Sequence, residues 1–271
     1  EDDGPTANIS GAEGAEIRLD ETDNDADDGD LGGLLAKATV AAANLFVDNS
    51  VFGSDGAANV NATVYSLTLS VENADSGLVD TQSGEAVVLV TDGDDIVGQT
   101  SGGGLEVFRI SIDPVTGDVT VTQSRAVVHD DPNDPDEADD PKSMLDGLVG
   151  LQVTVTDGDG DTDSASIELG SLIKFEDDGP TVDVTPEPGA EIRIDESTGY
   201  DFGDDPNAAD EWSSPDPDDI GYALVSLASL YGSTSAYGSD GPGTTTTKLV
   251  IPSEGADSGL IDTETGDPVL L

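Results

Sequence analysis

The chain contains no cysteine, one histidine, one tryptophan and only 8 lysines and arginines among its 271 residues. Without cysteine, neither disulfides nor thiolate metal sites can brace the fold, and oxygen-ligated hard ions are the metals left to it. Eight scattered cations cannot build the basic patch that nucleic acid or an anionic membrane surface requires, so both are poor partners, and neither nucleic-acid binding nor membrane insertion is expected. No apolar run approaches the ~18 residues of a membrane-spanning helix, and the first residues lack the charged-then-apolar order of a signal peptide. The lone histidine, His129, stands beside Asp130 in an acidic stretch, and no G-x-S-x-G nucleophile motif occurs. A non-catalytic protein is expected. Paired carboxylates for glycoside hydrolysis are the one enzymatic reading that composition leaves open.

What the chain has in excess is carboxylate: 59 Asp and Glu give a formal net charge of −51. Such a charge strains a compact state by self-repulsion unless something neutralises it, and cations are the natural partners. Hydrophobic residues make up 35% of the chain, enough for a packed core.

The opening "EDDGPT" at 1–6 returns at 176–181, an offset of 175 (176 − 1), and "AEIRLDET" at 15–22 returns as "AEIRIDES" at 190–197. "FGSDG" at 52–56 answers "YGSDG" at 237–241, and "ADSGLVDT" at 74–81 answers "ADSGLIDT" at 256–263. This is an internal repeat, with insertions that belong in loops. Leu271 aligns with Leu89, so the second copy has no counterpart of residues 90–175 within this sequence.

Short β-branched runs bounded by Gly, Asp, Asn and Pro predict strands: "NATVYSLTLSV", "LEVFRISI", "GDVTVTQS", "LVGLQVTVTD" and "DSASIELG". Pro114 and Gly117 in "DPVTGD" predict a hairpin between two of them. In "LLAKATVAAANLF" at 34–46 the apolar spacing fits a short helix, while Thr39 and Val40 equally suit a strand. Neither half of the period holds enough strands for a two-layer core, so one β-sandwich per repeat is expected. The fold class is therefore all-β, with tandem Ig-like sandwich modules, residues 1–175 a complete repeat and residues 176–271 the N-terminal part of a second. The acidic, proline-rich stretch 129–143 is a surface loop.

The strongest chemical signal is "DGDGDTD", with Asp157, Asp159, Asp161 and Asp163 at alternate positions. Calcium takes six to eight oxygens, and a flexible turn that converges carboxylates and carbonyls supplies them. An EF-hand would also place its bidentate acid at Glu168, but a strand from Asp163 carries that residue about 16 Å away. A turn-type site is expected instead, against the plainer reading of a solvated β-turn. The same two readings apply to Asp92, Asp94 and Asp95 in "TDGDDIVG" and to Asp23, Asp25 and Asp27 in "DETDNDADDGD". Asp20 and Glu21, with their repeat partners Asp195 and Glu196, directly follow an apolar strand. Together with Glu176, Asp177 and Asp178 of the joint and the "DGDGDTD" turn, they form a candidate interdomain cluster, after which Gly179 and Pro180 re-aim the chain.

"VTVTDGDGDTDSASIELGSLIKFEDDGPT", "ADSGLVDTQSGEAVVL" and "GDVTVTQSRAVVHDD" resemble the repeat domains of giant type I secreted RTX adhesins of Gram-negative bacteria. The resemblance implies an extracellular, calcium-binding array of β-sandwich modules that extends a terminal adhesive domain from the cell and supports biofilm formation or host attachment. It places metal-ligand roles on Asp157, Asp159, Asp161, Glu176, Asp177 and Asp178, with neighbouring repeats as partners. The acidic 129–141 loop departs from the shorter repeats of that family, and the nonapeptide glycine-rich calcium repeats are absent from this sequence. Two other readings remain. A glycan- or peptide-binding module would use Trp212, Tyr200, Tyr222 and Tyr231, but the first copy has no tryptophan. Acidity as an adaptation to high salt would spread carboxylates over the surface, whereas here they cluster in turns and in the joint.

Overall fold

The computed structural model describes residues 3–21, 33–130, 141–176, 179–194, 223–238 and 241–271. They fold as a nearly all-β, sandwich-like chain with two one-turn helices and one 3-10 turn. In chain order the strands of the first copy begin with β1 (Ile9–Gly11), β2 (Ile17–Asp20), β3 (Ala36–Val40), β4 (Phe46–Asp48) and β5 (Thr63–Leu69). Next come β6 (Ala74–Val79), β7 (Ala86–Asp92), β8 (Asp95–Thr100), β9 (Glu106–Ile112) and β10 (Val119–Gln123). The copy closes with β11 (Lys142–Ser143), β12 (Val149–Thr156), β13 (Thr162–Glu168) and β14 (Ile173–Glu176). The segment 34–46 that allowed helix or strand is both: β3, then the single turn α1 (Ala42–Leu45), then β4.

A six-stranded antiparallel sheet runs β3-β10-β9-β8-β7-β6, and a three-stranded sheet runs β13-β12-β5. A further sheet, β11-β14-β2, pairs β14 in parallel with β2 and so brings Glu176 beside Asp20. Strand period explains the layers. In β12, Val149, Leu151, Val153 and Val155 are buried while the residues between them are half-buried. Val119 and Val121 of β10 do the same on the larger sheet. One core cluster joins Val119, Val121, Leu89 and Ile110 to Leu151 of β12 and to Ile17, Leu19, Ile173 and Phe175 of β2 and β14. Phe108 and Phe175 meet within it, ring centroids 5.3 Å apart. Phe108 lies over its cross-strand partner Gly98, where a Cβ would stand 2.3 Å from the ring.

The hairpin expected at "DPVTGD" joins β9 to β10, and the same loop closes β6–β7 as "DTQSGE". In each, the first aspartate N–H donates to the carbonyl five residues on, at 2.9 Å for both Asp80 and Asp113. The glycine N–H returns to the aspartate carbonyl, at 2.8 Å for Gly84 and 2.9 Å for Gly117. The aspartate carboxylates cap the turn: Asp80 accepts from Ser83 N–H and Asp113 from Val115 and Thr116 N–H.

The second copy repeats two of these pairings. Thr6 bridges Val51 as Thr181 pairs Ala236, Ile9 pairs Asp48 as Val184 pairs Ser233, and Gly11 pairs Phe46 as Pro186 pairs Tyr231. Thus β15 (Thr181–Pro186), the turn α2 (Leu227–Leu230) and β16 (Tyr231–Ala236) retrace β1, α1 and β4. Contacts divide the chain into two compact units, Glu1–Gly241 and Pro242–Leu271. The second unit is the hairpin β17 (Asp257–Ile261) and β18 (Pro268–Leu270), whose "DTETGD" loop reproduces the bonds of Asp80–Glu85. Leu78 and Leu89 are fully buried in the first copy, whereas their equivalents Leu260 and Leu271 are 65% and 53% exposed.

Candidate metal centre

The site grows from the β12–β13 turn. Asp157 ends the buried face of β12 and is 1% exposed. Its N–H donates to the Asp161 carbonyl at 3.0 Å, and its Oδ1 accepts the N–H groups of Gly160 and Asp161 at 3.1 and 2.8 Å. Gly160 makes this turn possible with φ +106°, a backbone conformation open to glycine. The other oxygen, Asp157 Oδ2, is buried with no hydrogen-bond partner among the described residues. A buried, unsatisfied carboxylate oxygen is costly, and a bound cation is the simplest group to satisfy it.

A second loop comes alongside. Ala57 forms an isolated bridge with Asp157, and Ala58 N–H donates to the Thr156 carbonyl at 3.1 Å. Gly158 faces Asp55 so closely that a Cβ would stand 2.5 Å from the Asp55 carbonyl oxygen. The result is that carboxylate oxygens of Asp55, Asp157 and Asp159 all lie within 4.8 Å of one another. Two oxygens that share one calcium ion at ~2.4 Å are at most ~4.8 Å apart, so the three carboxylates meet the spacing that a common ion requires. Without an ion, each such pair of charges repels by roughly 3 kcal/mol at an effective dielectric constant of about 20.

The remaining candidates lie outside this group of three carboxylates. Asp163 Oδ2 accepts the Ala7 N–H at 2.9 Å, and Asp161 faces Gly4. Glu176 is held at a different place, where its carboxylate pairs with Arg18 and its carbonyl accepts the Glu21 N–H at 3.3 Å. Buried Glu21 in turn accepts the Val127 N–H at 3.2 Å and the Gln123 amide, at the far end of β10 from the Phe46–Gly117 contact. Asp20 stands beside Glu176 in the β2–β14 register. The structure therefore does not bring Glu176, Asp20 and Glu21 to the Asp157 turn. Asp177, Asp178, Asp195 and Glu196, like Asp23, Asp25 and Asp27, lie outside the described residues. Asp92 and Asp95 each accept from Arg109 at 3.0 Å, and Glu106 accepts from it at 2.7 Å. Glu106 first, then desolvation against it, then Asp95 and Asp92 leave the guanidinium pKa raised above its ordinary value. Asp55 is the participant that sequence reasoning passed over. Its signal was the recurrence of "FGSDG" as "YGSDG", which marks a repeated loop and carries the aspartate with it.

Comparison with known proteins gives a family and no annotated relative: the chain matches no curated protein and no solved structure. A family match covers residues 16–170 and 191–271. The two stretches begin 175 residues apart (191 − 16), the offset of the sequence repeat. Covering most of both copies, this match makes the chain a member of the family described as Domain of unknown function (DUF5801).

Proposed function

We propose that the chain is a non-catalytic extension repeat of a large secreted bacterial adhesin, rigidified by calcium outside the cell and supporting cell adhesion and biofilm formation. Residues 1–175 are one complete repeat and residues 176–271 the N-terminal part of the next. The observation that carries the reading is the convergence of Asp55, Asp157 and Asp159 around a turn whose buried Asp157 Oδ2 has no partner among the described residues. Asp55, Asp157 and Asp159 hold the ion. A flexible all-oxygen site suits calcium. Magnesium demands near-octahedral geometry at ~2.1 Å and gives up its waters reluctantly.

Coupling to folding follows from mass action. Extracellular calcium modules bind with Kd of roughly 0.1 to 1 mM, so ~10 mM calcium stabilises a module by about 1.4 to 2.7 kcal/mol per site. Inside a cell, where free calcium is far below such a Kd, the same acids repel and the chain stays loose enough for export; outside, the ion fixes it. The tandem repeat supports a spacer role, since units repeated along one chain add length. The test is titration calorimetry of the chain with calcium and then magnesium at moderate salt. Saturable calcium binding that magnesium does not reproduce supports the proposal, and a featureless calcium trace contradicts it.

A further inference from the structure

The loops that carry the candidate ligands also grip the chain that leads into the first copy. Thr6 and Val51 exchange both backbone hydrogen bonds, at 2.8 and 2.9 Å. Ala7 N–H donates to Asp163 Oδ2 at 2.9 Å, and Asn8 N–H donates to Ser50 Oγ at 2.9 Å. Gly53, at φ +72°, turns its bare Cα toward the preceding segment, and a Cβ there would lie 1.9 Å from the Asp3 carbonyl oxygen. Ser54 Oγ donates to Asp3 Oδ2 at 3.2 Å, and a Cβ on Gly4 would be 3.9 Å from Asp161 Oδ2. Residues 3–8 are thus clamped between the 50–54 loop, which continues to Asp55, and the turn that carries Asp157 and Asp159.

We propose that residues 3–8 are a strap whose docking is coupled to the metal centre, so that the ion orders the chain entering a module and not the chain leaving it. The proposal rests on the reading of Asp55, Asp157 and Asp159 as a calcium site. An ion shared by Asp55 and Asp157 pins the 50–56 loop to the β12–β13 turn, and these are the two walls of the strap's groove. The outgoing chain at Glu176 is anchored by Arg18 and Glu21 instead and touches neither wall through these contacts. The arrangement is built to recur. "EDDGPT" heads both copies, and Thr181 pairs with Ala236 as Thr6 does with Val51. In tandem, the joint between two modules is therefore the strap of the second, governed by the second module's ion. Coupling of this kind is reciprocal: if the ion orders the strap, unseating the strap must weaken the ion by the same factor.

The test uses the full chain, hydrogen exchange read by mass spectrometry, and calcium titration. Gly53→Ala drives a Cβ into the Asp3 carbonyl without altering any carboxylate. Gly56→Ala imposes the same positive-φ strain, at φ +73°, on the same loop with nothing within 4 Å of the new Cβ. Calcium is expected to slow exchange across residues 6–8 of the unaltered chain and to leave residues 173–176 unchanged. Gly53→Ala is expected to weaken calcium at least about fivefold more than Gly56→Ala does. Calcium binding with no change in exchange at residues 6–8 overturns the strap, as does equal affinity in the two variants, while leaving the metal site standing. Absence of saturable calcium binding to the unaltered chain overturns the metal reading and the strap with it. Should Gly53→Ala fail to fold, the exchange measurement on the unaltered chain decides alone.

Discussion

Asp157→Asn separates a metal ligand from a turn residue, because only a ligand makes the sign of the effect depend on calcium. The substituted amide keeps an oxygen for the Gly160 and Asp161 N–H groups, so the turn bonds at 3.1 and 2.8 Å survive. What changes is Oδ2, which becomes an NH₂ donor where the buried, unpartnered oxygen stood. In EDTA the variant removes one charge from three carboxylates within 4.8 Å. The unscreened repulsion is roughly 3 kcal/mol per pair, and the exposure of Asp55 and Asp159 reduces the relief to about 1 kcal/mol. In ~10 mM calcium the variant forfeits the linkage stabilisation, about 1.4 to 2.7 kcal/mol. For a module of this size 1 kcal/mol moves Tm by about 2 to 4 °C. The melting curves are therefore expected to cross: the variant melts a few degrees above the unaltered chain in EDTA and several degrees below it in calcium. Differential scanning calorimetry at constant ionic strength reads both. A variant less stable by the same amount in both buffers would refute the reasoning and leave Asp157 a turn residue only.

Gly98→Ala places a Cβ 2.3 Å from the Phe108 ring, which is itself packed on Phe175; a loss of about 1 to 3 kcal/mol in chemical denaturation is expected, independent of calcium. Asp80 is buried, and burial pushes its pKa up, but hydrogen bonds from Arg125 and Ser83 outweigh this and hold it below its ordinary value. Its contribution is present above the unfolded carboxylate pKa of about 4 and is lost as pH falls through the lower folded value. The Tm difference between the unaltered chain and Asp80→Asn should accordingly narrow in acid, and a constant difference from neutral pH down to pH 2 would count against the pair.

The parts of the fold legible in the sequence are those written over short distances. "DPVTGD" closes a hairpin because proline, glycine and a capping aspartate sit in one six-residue turn. The β12 strand is visible in its own alternation, and Asp157 and Asp159 come together because one turn holds both. Asp55 was not legible as their companion, since it arrives through the Ala57–Asp157 bridge between loops about a hundred residues apart. The place of Glu176 was hidden for a similar reason. Its neighbours Asp20 and Glu21 are set by the parallel pairing of β14 with β2, a register that local pattern does not encode. In 34–46 the helical apolar spacing and the β-branched Thr39 and Val40 were both real signals, resolved as a strand and a single helical turn in succession.

The most direct measurement of the central claim is anomalous diffraction from crystals of the chain grown in calcium. An anomalous peak is expected about 2.3 to 2.6 Å from carboxylate oxygens of Asp55, Asp157 and Asp159. Calcium-containing crystals with no peak among those three residues would contradict it.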